Sequence, residues 1–409
     1  MKLFRSQAVS ILNSDKFLNF WIGPVRSGKT IASIFRWITF VSEYSGTNSL
    51  IMIGKTQQTL YRNVIKIIEE LIGKNCYYSS YKNEFKIFDK ICYTIGANDS
   101  AAEGKIRGFS AGGAYGDEVV LWPYNCFQML ISRLSEAGSK AFFTSNPDSP
   151  MHPIKVEYLD KKDSLDMSLF EFTFDENVFI AQDFKEQLKK IYTGLWYRRF
   201  ILGQWCLAEG AIIDFFDEEE HTLTKCPKAK YYNLAIDYGA NNPFCALLIG
   251  HNNETRPKVW PQHEFYHDGK LSGTRTNSEY ADMLERFCKS NLGENWRNYV
   301  NKTIIDPSAE SFQIELEGKY FPGVTHANNA VLDGILFTCS LLKSGVLAFS
   351  NTCTNLIKET YSYTWDANAQ KHGVDAPVKV NDHVIDALRY GVYTELGGSN
   401  VDLISLTKW

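Results

Sequence analysis

Along the first two hundred residues the apolar positions keep two rhythms: short unbroken runs of strand length, and longer stretches in which they return at helical spacing. Phe17 to Ile22 is an apolar, aromatic-rich run that predicts a buried strand, and Ile31 to Val41 carries apolar residues on most turns of a predicted helix. Ser49 to Gly54 predicts a second strand and Thr56 to Leu71 a long helix, so that strands and helices alternate as a parallel sheet requires. Phe85 to Phe88 and Ile91 to Gly96 predict a hairpin around Asp89-Lys90, inserted at the sheet edge. Short apolar strands are also predicted just before Asp117 and from Ala141 onward.

The rhythm changes after the stretch Gly203 to Gly210. Residues 214–220 are acidic and turn-rich, and a new β pattern starts at Tyr231. Tyr231 to Gly239 and Phe244 to Gly250 predict an antiparallel pair joined by Ala-Asn-Asn-Pro. Lys302 to Asp306 predicts a further strand end, and Asp382 to Tyr390 a helix. The chain therefore divides into an α/β domain over residues 1–208, a linker over 209–230 and a second domain over 231–409, in keeping with the usual size of domains.

One loop in this pattern carries specific chemistry. Gly23-Pro-Val-Arg-Ser-Gly-Lys-Thr30 lies between the first strand and the first predicted helix, which is the context a phosphate-binding loop needs. Gly23 and Gly28 let the backbone wrap around phosphates, and the amides of Arg26, Ser27 and their neighbours meet the negative charge at a helix start. Lys29 would reach the β- and γ-phosphates of ATP, and Thr30 would ligate magnesium. Some ninety residues later Asp117 and Glu118 end a predicted strand. There Asp117 would hold magnesium and Glu118 would orient and deprotonate the attacking water. Thr144 and Asn146 end the next strand with groups able to sense the γ-phosphate. Arg26 and Arg107 are candidates to stabilise transition-state charge, the first within its own chain and the second toward a neighbouring subunit.

The second half bears isolated acids. Asp237 and Asp306 each end an apolar strand, where a carboxylate is costly unless it is paired or binds a cation. Asp382, His383 and Asp386 share one face of the predicted helix by their spacing. Two strand-end carboxylates with one or two from a helix make a site for two magnesium or manganese ions, which suits phosphodiester hydrolysis in the manner of ribonuclease H-like nucleases.

Composition sets bounds on this picture. The chain has 409 residues, 44% of them hydrophobic and 22% charged, as a folded soluble protein does. The net charge of −4 argues weakly against a nucleic-acid partner, because an acidic metal site can offset a basic groove elsewhere. Lys189-Lys190 and Arg198-Arg199 are local basic stretches whose simplest reading is a solvated helix face. Nine cysteines without a C-x-x-C pair suit neither a disulfide framework nor a zinc site. No apolar run approaches a membrane span, so a cytoplasmic protein is expected.

With these motifs in this order, the chain resembles the large subunit of a tailed-phage terminase nearly end to end. The resemblance rests on the phosphate loop with Arg26, Gly116-Asp-Glu118, Thr144-Ser-Asn-Pro147, the junction from Arg199 to Gly210, and Asp382-His-x-x-Asp-Ala-x-Arg-Tyr390. It implies a P-loop (RecA-like, ASCE) ATPase domain with a parallel sheet, followed by a ribonuclease H-like nuclease domain. It implies that Asp237, Asp306 and Asp386 bind the metal ions, with His383 beside them and Asp382 competing with Asp386 for the third place. It implies that Gln7 reads the adenine and that Arg107 acts across subunits. The implied partners are double-stranded DNA, a small terminase subunit and a portal protein. A homo-oligomeric ring on the portal is expected, compatible with a monomer in solution, in the host cytoplasm and not in the mature virion. Two rivals are a helicase-like repair ATPase with a fused nuclease, and a nucleotide-switch scaffold without nuclease activity. The first lacks a second RecA-like half here, and the second has no use for Glu118 and three aspartates.

Overall fold

The computed structural model describes residues 2–239 and 243–397. Two compact units form: one on Met1–Lys185, Tyr197–Leu207 and Gln370–Val374, the other on Glu186–Trp196, Ala208–Ala369 and the segment from Asp375 onward.

The first unit is built on eight strands: β1 (Leu18–Ile22), β2 (Ser49–Gly54), β3 (Cys76–Ser79), β4 (Glu84–Ile87), β5 (Lys90–Gly96), β6 (Ala111–Gly116), β7 (Lys140–Ser145) and β8 (Met167–Glu171), in the order β3-β4-β5-β2-β6-β7-β1-β8. All neighbours from β5 to β8 pair in parallel. Every residue of β1 is buried, because helices cover both faces of a parallel sheet. Its alternate residues feed two cores: Phe20 joins Phe127 and Phe143 on one face, and Trp21 joins Trp37 and Phe142 on the other. The predicted hairpin is present as β4 and β5, but β5 also pairs in parallel with β2 and belongs to the main sheet. The Arg5–Asn13 helix and β8 were not foreseen, since neither shows a clean apolar period.

Residues 209–230, expected as a linker, carry their own structure within the second unit. Ile212 and Ile213 are buried, the Ile212 amide donates to Tyr363, and a short helix, Glu218–His221, precedes β9 (Thr222–Leu223). Nor does Arg199 face solvent as its basic stretch suggested. It is buried, donates to the Cys206 carbonyl at 2.7 Å and lies 3.2 Å from Asp148.

The second unit holds β10 (Tyr231–Asp237), β11 (Phe244–His251), β12 (Val259–His267), β13 (Val300–Ile305) and β14 (Val324–His326), in the order β12-β11-β10-β13-β14. β12, β11 and β10 run antiparallel, as the sequence pattern predicted for the last two, while β10, β13 and β14 run parallel. This is the ribonuclease H-like arrangement. The Ala-Asn-Asn connection between β10 and β11 lies outside the described residues. β9 pairs with β15 (Phe349–Ser350). The His383–Leu396 helix lies on β10 and β11. It approaches so closely at Gly391 that a Cβ there would collide with Ile249 and Ala235. Among the described residues no helix is long and apolar enough to cross a membrane, and all nine cysteines are free thiols.

Candidate active sites

The chain leaves β1, turns through Gly23 to Gly28 and enters the Lys29–Glu43 helix. Gly28 has φ +87°, a conformation that favours glycine, and a Cβ there would lie 2.9 Å from both Gln7 Nε2 and Phe4 Cε1. Arg26 also takes positive φ, and its carbonyl accepts a 2.7 Å bond from Asn177 Nδ2. Arg26 to Thr30 line an open cleft of about 440 Å³, whose other wall includes Arg62, Asn63, Asp117 and Glu118.

The cleft is cross-linked by hydrogen bonds. Lys29 Nζ donates to Asn146 Oδ1 at 2.8 Å and lies 3.3 Å from Glu118 Oε1. The Asn146 amide donates to Glu118 Oε2 at 3.1 Å. Thr144 Oγ1 donates to Asp117 Oδ1 at 2.8 Å and accepts from the Glu118 amide at 3.2 Å. Three segments far apart in sequence thus meet at the carboxyl ends of β1, β6 and β7, neighbours in the sheet. Burial pushes the Asp117 carboxyl up to about 6, reinforced by the charge of Glu118 and opposed by Thr144, Lys29 and Asn63. Ser27 Oγ is buried there without a hydrogen-bond partner.

Gln7, expected at the adenine, and Arg107, expected to act toward a neighbouring subunit, both have partners within this chain. Gln7 is buried, its amide donating to the Gly28 carbonyl at 2.9 Å and accepting from the Phe4 amide at 3.3 Å, so it braces the loop from behind. Arg107 is exposed and pairs with Glu103 at 2.5 Å, one helical turn away, outside the cleft. Arg62, which sequence reasoning passed over, is the arginine in the cleft besides Arg26. Its only signal was its place on the helix after β2.

In the second unit the register that pairs Ile236 with Ile305 sets Asp237 and Asp306 at neighbouring ends of parallel strands. The helix that follows Asp382 binds both: His383 Nδ1 lies 3.1 Å from Asp237 Oδ2, and the Tyr390 hydroxyl donates to Asp306 Oδ2 at 2.7 Å. Asp382 is the N-cap residue of that helix, not a member of its face. Lys379 Nζ bridges Asp382 at 3.0 Å and Asp386 at 2.9 Å. Arg389, buried and not at a helix surface, holds the other oxygen of Asp386 at 3.1 Å. Burial raises the Asp237 carboxyl above its usual range; His383 opposes this, and Asp386 and Asp382 add to it. Burial would raise Asp306 too, but hydrogen bonds from Ser308 and Tyr390 and the charge of Arg389 bring it below its usual range. Sequence reasoning missed Lys379 and Glu359. The buried Glu359 carboxylate accepts from the Val384 and Ile385 amides at 2.7 and 3.0 Å and so caps this helix across 25 residues of sequence.

Comparison with known proteins gives these two sites a common setting. Residues 21–220 match the family described as terminase large subunit, T4likevirus-type, N-terminal. The large terminase of a thermophilic bacteriophage is 32% identical, with a TM-score of 0.88 over 96% of this chain and 99% of that one. The chain belongs to the large terminase family. The same thermophilic phage's terminase has also been solved in complex with ATP-gamma-S, matching with a TM-score of 0.86 at 32% identity over 96% of this chain and 99% of that one. The terminase large subunit of Escherichia phage T5 is 24% identical over 220 residues, 51% of this chain and 47% of that relative, so the match spans about half the relative's length.

Both sites of this terminase suit the groups its family implies. The unpartnered Ser27 hydroxyl and the buried Lys29 ammonium fit phosphate oxygens, and a cation would relieve the crowding of Asp117 by Glu118. In the second unit, the repulsion of Asp237 by Asp386 and Asp382 is of the kind that a divalent cation reverses. Among the described residues, however, no three His, Cys, Asp or Glu side chains converge as a metal cage, because Lys379, Arg389 and Tyr390 hold the carboxylates.

Proposed function

We propose that this large terminase hydrolyses ATP in the cleft of its first unit to drive double-stranded DNA into a procapsid, and cuts concatemeric DNA at the carboxylate centre of its second. The observation that carries the proposal is the bridge from Lys29 to Glu118 and Asn146, which ties the phosphate loop, the acidic strand end and the following strand to one another. Lys29 exchanges Glu118 for the β- and γ-phosphates of ATP, freeing Glu118 to orient and deprotonate the attacking water. Arg26 and Arg62 lie where they can meet phosphate charge, and Arg107 is offered to a neighbouring copy. Thr144 bonds both Asp117 and the Glu118 amide, so a shift of Glu118 is felt at the end of β7. Thr30 and Asp117 would hold magnesium, which neutralises charge on the phosphates.

At the second centre Asp237, Asp306 and Asp386 would hold two magnesium or manganese ions, with Asp382 the alternative to Asp386. The ions supply an activated water and stabilise the leaving oxygen. His383 orients Asp237, and Tyr390 orients Asp306. Lys379, paired with Asp386, would give way to a divalent cation there. The partners are DNA, a small terminase subunit and a portal protein, and the work is done in the host cytoplasm.

The decisive experiment is manganese-dependent cleavage of plasmid DNA, measured beside ATP turnover, for the wild type, Asp237→Ala and Glu118→Ala. Loss of cutting only in Asp237→Ala and loss of ATP turnover only in Glu118→Ala supports two separable sites. A wild type that cuts with neither manganese nor magnesium overturns the nuclease half.

A further inference from the structure

A second cavity, of about 500 Å³, opens at the carboxyl ends of β2 and β5, and β2 is the neighbour of β6, whose end borders the ATP cleft. Its walls include Gln57, Lys82, Asn83, Tyr93, Lys105 and Phe109. The carboxyl edge of a parallel sheet is where α/β folds bind ligands.

Three features point to an occupant. Lys82 and Lys105 are both exposed on this wall, and neither has a carboxylate partner among the described residues. Arg107, two residues from Lys105, has its charge taken by Glu103. The Tyr93 and Phe109 rings lie 5.1 Å apart at 47° and give the cavity a flat apolar side. Thr94, only 2% exposed, lines the same cavity with its hydroxyl lacking any hydrogen-bond partner. Gln57 is fixed in the wall by a 2.5 Å bond to the Thr94 carbonyl and a 3.3 Å bond to Asn83 Oδ1.

Unpaired ammonium groups beside an unpartnered hydroxyl are the chemistry of a seat for phosphate, and the Tyr93 and Phe109 rings offer an apolar face to the sugars between phosphates. The seat has no glycine-rich loop and no carboxylate on its wall to share a magnesium ion, so it lacks what a triphosphate site uses. We infer that it holds the phosphodiester backbone of a DNA strand while the motor works, an inference that rests on the DNA-moving function proposed above. The cavity is also wired to ATP chemistry. Lys55, next to the cavity residues Thr56 and Gln57, donates through Nζ to the Leu121 carbonyl at 2.8 Å, and the Leu121 amide donates to the Glu118 carbonyl. A movement of Glu118 therefore reaches the seat through one turn and one side chain.

The test uses the full chain, with the wild type, Lys82→Ala/Lys105→Ala and Lys82→Arg/Lys105→Arg. Binding of a fluorescent 30-base-pair duplex and of labelled ADP is followed by anisotropy against salt, with ATP turnover measured with and without DNA. The alanine pair should bind the duplex about tenfold more weakly and lose about two units of salt slope, as the removal of two phosphate contacts requires. DNA-stimulated turnover should fall in step, basal turnover and melting temperature should hold, and the arginine pair should restore binding. Unchanged duplex affinity and slope in the alanine pair overturn the seat, and an acidic protein then becomes its better occupant. Loss of a second ADP site with duplex binding intact also overturns it, in favour of a free nucleotide. A wild type that binds no duplex sinks the DNA-moving function together with the seat.

Discussion

The ATP cleft and the carboxylate centre both stand at the carboxyl ends of parallel strands, but they handle charge in opposite ways. In the cleft, Glu118 meets the ammonium of Lys29, which the phosphate loop delivers from a neighbouring strand end. In the second centre the acids outnumber what the fold provides: Asp237 is crowded by Asp386 and Asp382, and Lys379, largely exposed, bridges those two. The first site is ordered by its own chain, whereas the second keeps an excess of acids that a cation would balance. The difference follows from the donors. A glycine turn and a helix start supply positive potential from the backbone, whereas a sheet end carrying aspartates supplies none.

The largest effect should come from Glu118→Gln, which keeps the shape of the cleft and removes the base. ATP turnover should fall about a thousandfold while plasmid cutting continues. Equal loss of both activities would break the separation of the two sites. Next, the buried Glu359 carboxyl is pushed up to about 7 by burial, against the hydrogen bonds from the Ile385 and Val384 amides, with His383 and Asp382 also facing it. A carboxyl with a raised folded pKa takes up a proton on folding. Stability therefore falls as pH rises from about 4.5 to about 7 and is level above. The cost is as much as about 3 kcal/mol. Urea titrations at pH 5 and pH 8 should show this fall in the wild type and a much smaller one in Glu359→Gln, which keeps an acceptor for both amides.

Manganese without nucleotide should stabilise the wild type by roughly 1–3 kcal/mol and Asp237→Ala by far less. Equal shifts in melting temperature would show that the crowded acids are satisfied without a cation. Tyr390→Phe removes the bond that orients Asp306, and should weaken manganese activation of cutting about tenfold with ATP turnover unchanged. The smallest effect should be that of Thr144→Val. It loses the hydroxyl between Asp117 and the Glu118 amide and should slow ATP turnover severalfold at unchanged nucleotide affinity; a rise in KM alone would instead make Thr144 a binding residue.

Much of this was legible along the chain. The phosphate loop could be read because its chemistry lies within eight contiguous residues. β2 could be read from Ser49 to Gly54 because a buried parallel strand is an unbroken apolar run. Asp237 and Asp306 stood out as acids ending such runs. Gln7 was expected at the base, whereas the fold turns its amide onto the Gly28 carbonyl; the Glu103 partner of Arg107, an ordinary helical neighbour, was not singled out although its spacing was legible. Glu359 and Lys379 gave no signal at all. A buried acid in an amphipathic helix and a lysine in a loop look like surface residues until their distant partners are known.

By itself, then, the sequence determined where the glycine-rich loop between β1 and its helix lies, which strands are buried and which acids end them, since each of these depends on neighbours a few residues apart. Only the tertiary structure decided that β10 lies beside β13, that Glu359 caps the helix bearing His383 and Asp386, and that Lys379 spans two aspartates. Such contacts join residues whose separation along the chain carries no periodic trace. Their energies come from burial and from charges meeting at about 3 Å, and only the folded chain creates either.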